Sequence, residues 1–196
     1  ASASVISRES SASFALDRSG VWKRVFEALT QDAHNEWGMI DSSIVRMHQH
    51  SAGATGALLS DRAEPGTLDT KVHAIKDALG NPTGAHLTPE QANDLKGVNV
   101  LLSASKAHTV ITGKGYATPR TEWLAFAQGN QAVVIPSCSI NLQQRDYEKA
   151  LYSAANVIED FFAKLKQYRA IARGYDKTAC NFLGGICLAA CVIWMT

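Results

Sequence analysis

The sequence predicts a mixed α/β domain, a central sheet covered by helices. Three observations carry that reading. Met39 to Val45 is a short run rich in β-branched residues, with the alternation of a strand. Asp146 to Arg173 contains no Gly or Pro and is made mostly of good helix formers. Between them strand-like and helix-like patterns follow one another as strand, hairpin, helix, strand, helix, strand, long helix, which is a layered α/β order. With 196 residues, 46% of them hydrophobic, the chain is long enough for one domain with a proper core.

Residues 1–18 are dense in Ser and Ala and poor in large apolar groups, so they are expected to be disordered or poorly packed, with the domain proper spanning 19–196. Val21, Trp22, Val25, Phe26 and Leu29 form a helical stripe that ends near Gln31 or Asp32. The Met39–Val45 strand sets Asp41, Ser43 and Val45 on one face and Ile40, Ser42 and Ile44 on the other. His48 and His50 would share a strand face, but no further His or Cys accompanies them and the pair is expected to be structural. Ser51 to Leu68 is a loop by composition. A hairpin follows, with Val72, Ala74 and Ile75 before a turn at Gly80, Asn81 and Pro82 and Leu87 on the return strand. Thr88 is expected to cap the next helix, with Pro89 at its first position and Gln91 closing a capping box, and the helix to run through Leu102. His108 to Thr112 reads as a strand, Thr121 to Phe126 as helix and Gln131 to Ile135 as a buried strand.

The long helix, Asp146 to Tyr175, carries an apolar stripe of Leu151, Ala154, Ala155, Ile158, Phe162 and Leu165. A last helix runs from about Ala179 to Trp194. Its apolar run, Phe182 to Met195, is 14 residues long, short of the ~20 needed to span a bilayer, so it is expected to be a buried core helix. Cys138, Cys180, Cys187 and Cys191 contain no CxxC pair, which argues against a zinc ribbon or a disulfide framework and for reduced, buried thiols. No secretory signal is visible, and a cytoplasmic protein without a membrane is expected. The net charge of +1 leaves any nucleic-acid contact to a local patch. Arg145 to Lys177 offers one, with seven Lys or Arg against five acidic residues.

Two features carry chemistry. An Asp in an apolar strand is costly to bury unless paired or metal-bound, although a strand-edge Asp needs neither. Tyr152, Glu159 and Lys166 are seven apart and stack along one side of the long helix within about 20° per step. A carboxylate between a phenol and an ammonium suits a metal and phosphate site, and the same spacing is met by a solvated charged face.

The spacing Tyr152, Ala155, Glu159, Lys166 resembles the C-terminal signature of insertion-sequence DDE transposases, which reads Tyr, two residues, Arg, three residues, Glu, six residues, Lys. MIDSSIVRMHQHSAGA resembles that family's first catalytic block, and IEDFFAKLKQYRAIARGYDKTACNF resembles its ending. The likeness covers roughly residues 20 to 195. It implies a ribonuclease-H-like fold, a mixed central sheet flanked by helices with a long C-terminal helix carrying Glu159. By the same resemblance Asp41 and Glu159 are catalytic carboxylates and ligands of Mg²⁺ or Mn²⁺. It implies DNA strand cleavage and transfer, with transposon terminal repeats and target DNA as partners, nucleoid association when bound, and room for a homo-oligomer in the DNA complex. Tyr152, Lys164, Lys166, Arg169, Arg173 and Lys114 are the expected DNA contacts.

The sequence departs from the family at three places. The word Asp-Lys-Gly-Tyr, which holds the second catalytic Asp, reads Gly113, Lys114, Gly115, Tyr116 here. Ala155 stands where the family has Arg. The Gly-rich, basic loop of relatives is replaced by a stretch with Asp61 and Glu64. Catalysis is therefore expected to be impaired. A non-enzymatic DNA-binding remnant or inhibitor and another ribonuclease-H-like nuclease are the alternative readings.

Overall fold

Strand β1 (Trp37–Val45) is the centre of a five-stranded sheet with the order β3-β2-β1-β4-β5. The computed structural model describes residues 20–46, 69–112, 132–134, 157–173 and 179–196, with only the backbone element given for 132–134 and 157–159. On one side β1 pairs antiparallel with β2 (Thr70–Lys76), which pairs antiparallel with β3 (Pro82–Pro89). On the other it pairs parallel with β4 (Thr109–Thr112), which pairs parallel with β5 (Ala132–Val134). Three antiparallel strands followed by two parallel ones in this order make the ribonuclease-H-like arrangement that the resemblance implied.

The hairpin between β2 and β3 is closed by Asp77. Its Oδ1 accepts the backbone N–H of Leu79 at 3.0 Å and of Asn81 at 2.8 Å, and its Oδ2 accepts that of His34 at 3.1 Å. A carboxylate that takes the turn's own amides replaces the backbone partners the turn lacks. Gly80 sits at φ 89, where a Cβ would be strained.

Period-two alternation divides the sheet into two faces. Ile40, Ile75 and Val110 turn toward helix α2 (Asp94–Ala104) and pack on its Val98, Leu101 and Leu102. The helix starts later than the sequence suggested. Thr88 and Pro89 belong to β3, where Thr70 pairs with Pro89, and the cap is Asn93, whose side chain accepts the Leu95 N–H at 3.0 Å. Strand pairing outweighs the local capping pattern here, because it satisfies the same backbone groups and buries Leu87 and Thr88 as well.

Met39, Val45, Val72, Ala74, Leu87 and Ile111 turn to the opposite face. Helices α3 (Val157–Gln167), α4 (Arg169–Ala172) and α5 (Ala179–Trp194) cover it with Phe161, Phe162, Leu165, Ile171, Phe182 and Ile186. The expected single long helix is broken at Tyr168, which is extended at φ −77, ψ 104. An unbroken helix would carry the inward stripe from Leu165 to Arg169. The break leaves Arg169 exposed and turns Ile171 into the core instead.

Helix α1 (Val21–Leu29), extended by a 3-10 turn at Thr30–Asp32, packs through Phe26 on Cys187, Ala190 and Cys191 of α5. The far end of α5 is tied to the sheet by Trp194, whose indole N–H donates to the Pro82 carbonyl at 2.5 Å. Among the described residues no helix is long and apolar enough to cross a membrane. Among the three described cysteines no disulfide forms; Cys187 and Cys191 are buried as expected, and Cys180 is exposed at the start of α5.

Candidate catalytic site

Asp41 lies midway along β1 with the parity of Met39 and Val45, so it belongs to the face covered by α3 and α5. It is half-buried, and its Oδ1 accepts the backbone N–H of Ser42 at 2.8 Å. Its cross-strand neighbour is the small, buried Ala74. On the other side the described β1–β4 ladder reaches Ile40 beside Thr112, one residue before Asp41. Asp41 therefore stands at the carboxyl end of the parallel pair, where β1 has an antiparallel neighbour on one side and a parallel one on the other. Ligand sites of open α/β sheets gather at such places.

Glu159 is the third residue of α3, a helix of eleven residues. Its side chain lies outside the described residues, but the turn that follows it places Phe161, Phe162 and Leu165 in the same core cluster as Met39 and Val45. The fold thus brings the helix segment bearing Glu159 and the strand bearing Asp41 to one face. Gly113, Lys114, Tyr152 and Ala155 lie outside the described residues, as do His48, His50 and residues 1–18. Among the described residues no three His, Cys, Asp or Glu side chains form a group able to hold a metal ion.

The expected DNA contacts Lys164, Lys166, Arg169 and Arg173 are all exposed. They do not form a single stripe. Lys164 and Lys166 are two residues apart, about 200° around a helix, so they flank the buried stripe on opposite sides. By the same spacing positions 159 and 166 share one flank of α3, and positions 160 and 164 the other.

The sequence reading assigned no role to Lys76. It closes β2 opposite Met39, two residues from Ala74 on the same face as Asp41, and is buried at 4% exposure. Its Nζ lies over the ring of Phe161, 6.0 Å from the centroid. Burial, with repulsion from Lys164, lowers its pKa from 10.5 to about 8, against the opposing pull of Asp160 and Asp77. A Lys at an inward-facing position of an alternating strand was the signal that could have found it.

The other face holds its charges closed. The Lys71 ammonium meets Asp94 Oδ1 at 2.6 Å. His73 Nε2 and Thr88 Oγ1 are 2.8 Å apart, and burial lowers the His73 pKa from 6.5 to about 4.

The sequence matches the model of the transposase DDE domain over residues 35–194. The chain belongs to the DDE transposase family. This family acts in DNA transposition and recombination, with divalent metal ions at its carboxylates. The match contains both Asp41 and Glu159. A Brucella ovis protein named as a transposase for insertion sequence element IS6501 is 35% identical over 134 residues, 65% of this chain and 99% of that one. Among solved structures, this transposase domain matches a pre-cleavage Mos1 transpososome at 12% identity and a TM-score of 0.31, covering 91% of this chain and 60% of that one. A Mos1 mariner paired end complex with Mn matches at 13% identity and a TM-score of 0.31, covering 89% and 59%. The chain thus spans about three fifths of the Mos1 transposase, and a likeness this weak carries nothing about the site.

Proposed function

We propose that this chain is the catalytic domain of an insertion-sequence transposase in which Asp41 and Glu159 hold divalent metal, and that Gly113 leaves the site one carboxylate short. The observation that supports the reading is that the strand bearing Asp41 in its middle and the helix segment bearing Glu159 lie on the same face of the sheet. Carboxylates are hard oxygen donors and suit Mg²⁺ or Mn²⁺ rather than a metal that favours His or Cys. Asp41 and Glu159 would hold the metal, which would supply Lewis-acid stabilisation of charge on the phosphoryl oxygens. What the chain itself contributes is a rigid strand that fixes Asp41, a packed helix that fixes position 159, and exposed cations for the DNA backbone. Terminal repeats and target DNA are the proposed partners, and the domain is proposed to span residues 19–196.

The Gly113 and Ala155 departures favour a second reading, a domain that binds transposon ends without cutting them. Mg²⁺-dependent nicking of a terminal-repeat duplex separates the two, with Glu159→Gln as the dead control. The unmodified chain is expected to nick slowly or not at all, Gly113→Asp to gain activity, and Gly113→Asp with Ala155→Arg to gain more. Full activity in the unmodified chain would remove Gly113 from the site. A double variant that folds, binds DNA and never cuts would leave the binding reading.

A further inference from the structure

Resting on the reading that Asp41 and Glu159 form the metal site, the geometry points to Lys76 as a positioning residue: its buried ammonium, set between β2 and the Phe161 ring of helix α3, fixes where that helix sits on the sheet and so how its backbone at position 159 stands to the strand bearing Asp41. Three observations support it. Lys76 stands two residues from the cross-strand neighbour of Asp41 and on the same face. Its Nζ lies over the ring of Phe161 of α3, 6.0 Å from the centroid and two residues after Glu159, and that ring is itself buried in the core. The charges that act on it, Asp160 and Lys164, lie on one flank of α3, while position 159 lies on the other. Repulsion from Lys164 and attraction to Asp160 act on the ammonium from that one flank, so its charge favours one rotation of the helix over another.

Burial is the largest influence on its proton affinity and lowers it, so the ammonium is held against a desolvation cost. A charge kept at a cost to the fold, beneath the helix that carries a catalytic position, fits a role in alignment.

The test compares the full chain with its Lys76→Met and Lys76→Arg variants in three measurements. These are the melting temperature at pH 7, hydrogen exchange over residues 160–167, and Mn²⁺ affinity by calorimetry. Lys76→Met is expected to melt no lower than the unmodified chain, yet to lose exchange protection in α3. Its Mn²⁺ affinity should fall about tenfold or more, the size of effect produced by losing a group that orients a metal ligand. Lys76→Arg should keep both. Loss of a nearby positive charge by itself would raise Mn²⁺ affinity, so the sign separates alignment from electrostatics. Protection in α3 that rises with the melting temperature, together with unchanged or tighter Mn²⁺ binding, would overturn the proposal. So would a Lys76→Met chain that does not fold, because the ammonium would then be part of what stabilises the core. If the unmodified chain binds no Mn²⁺, the metal reading fails, and the exchange data still decide whether Lys76 anchors the helix.

Discussion

The two faces of the sheet are built from the same five strands and treat charge in opposite ways. On the α2 face Lys71 and Asp94 close on each other at 2.6 Å, and His73 is fully buried against Thr88 with its proton affinity pushed down. On the α3 face the carboxylate of Asp41 stays half-buried beside its own strand's amide, and the ammonium of Lys76 rests under an aromatic ring. The first face spends its polar groups on structure. The second keeps a carboxylate and a cation near the strand ends at which the parallel pair finishes. A polar residue's surroundings, more than its type, separate structure from chemistry here, because burial and pairing decide whether a charge can meet a ligand.

The largest effect that can break this comparison is expected from Phe161, at 1% exposure. Phe161→Ala should cost about 3–5 kcal/mol, the usual loss for a buried aromatic, measured by denaturant unfolding. It should also remove the ring beneath which Lys76 sits. A loss below about 1 kcal/mol would mean that α3 is not a principal cover of the sheet.

Acid should strike the α2 face next. His73 has a folded pKa of about 4, below its ordinary 6.5, so between these values the unfolded chain binds the extra proton. Stability is therefore full above pH 6.5 and falls as the pH drops toward 4, by up to about 3 kcal/mol. Melting curves at pH 7.5 and 5 on the unmodified chain and His73→Gln check this. An equal loss in both would assign the acid sensitivity to other groups.

Gly97 sharpens the same face. A Cβ there would lie 2.4 Å from the His73 ring, so α2 approaches the sheet only because the residue has no side chain. Gly97→Ala is expected to cost about 1–3 kcal/mol despite the better helix propensity of Ala. His73→Ala in the same chain should recover part of it. Strict additivity of the two changes would show that the ring and the helix are not in conflict.

The smallest stability effect is expected at Asp41. Asp41→Asn keeps an oxygen for the Ser42 N–H, so the melting temperature should hold or rise slightly. Mn²⁺ binding should be lost. Retained binding with unchanged stability would take Asp41 out of the site.

Much of this architecture was legible without coordinates. The alternation of Met39–Val45, the turn at Gly80–Pro82 and the apolar run of the last helix are local patterns, and local patterns survive folding when tertiary packing agrees with them. The candidate carboxylates were legible for a different reason, the fixed spacing of a family signature around Asp41 and Glu159. The capping box at Thr88 failed because strand pairing of Thr88 with Lys71 and of Pro89 with Thr70 claimed the same backbone.

What the sequence by itself determined is the family and the order of the described strands and helices, and it nominated the two carboxylates of the proposed site. Only the tertiary structure decided where β3 ends, where the long helix breaks, and which Lys goes inside. Tyr168 turns the chain so that Ile171, not Arg169, meets the core, a choice set by the sheet beneath and invisible in a helical pattern. Lys76 is buried because Phe161 arrives over it from 85 positions later in the chain. Burial of a charge depends on what long-range packing lays against it, and no local spacing encodes that.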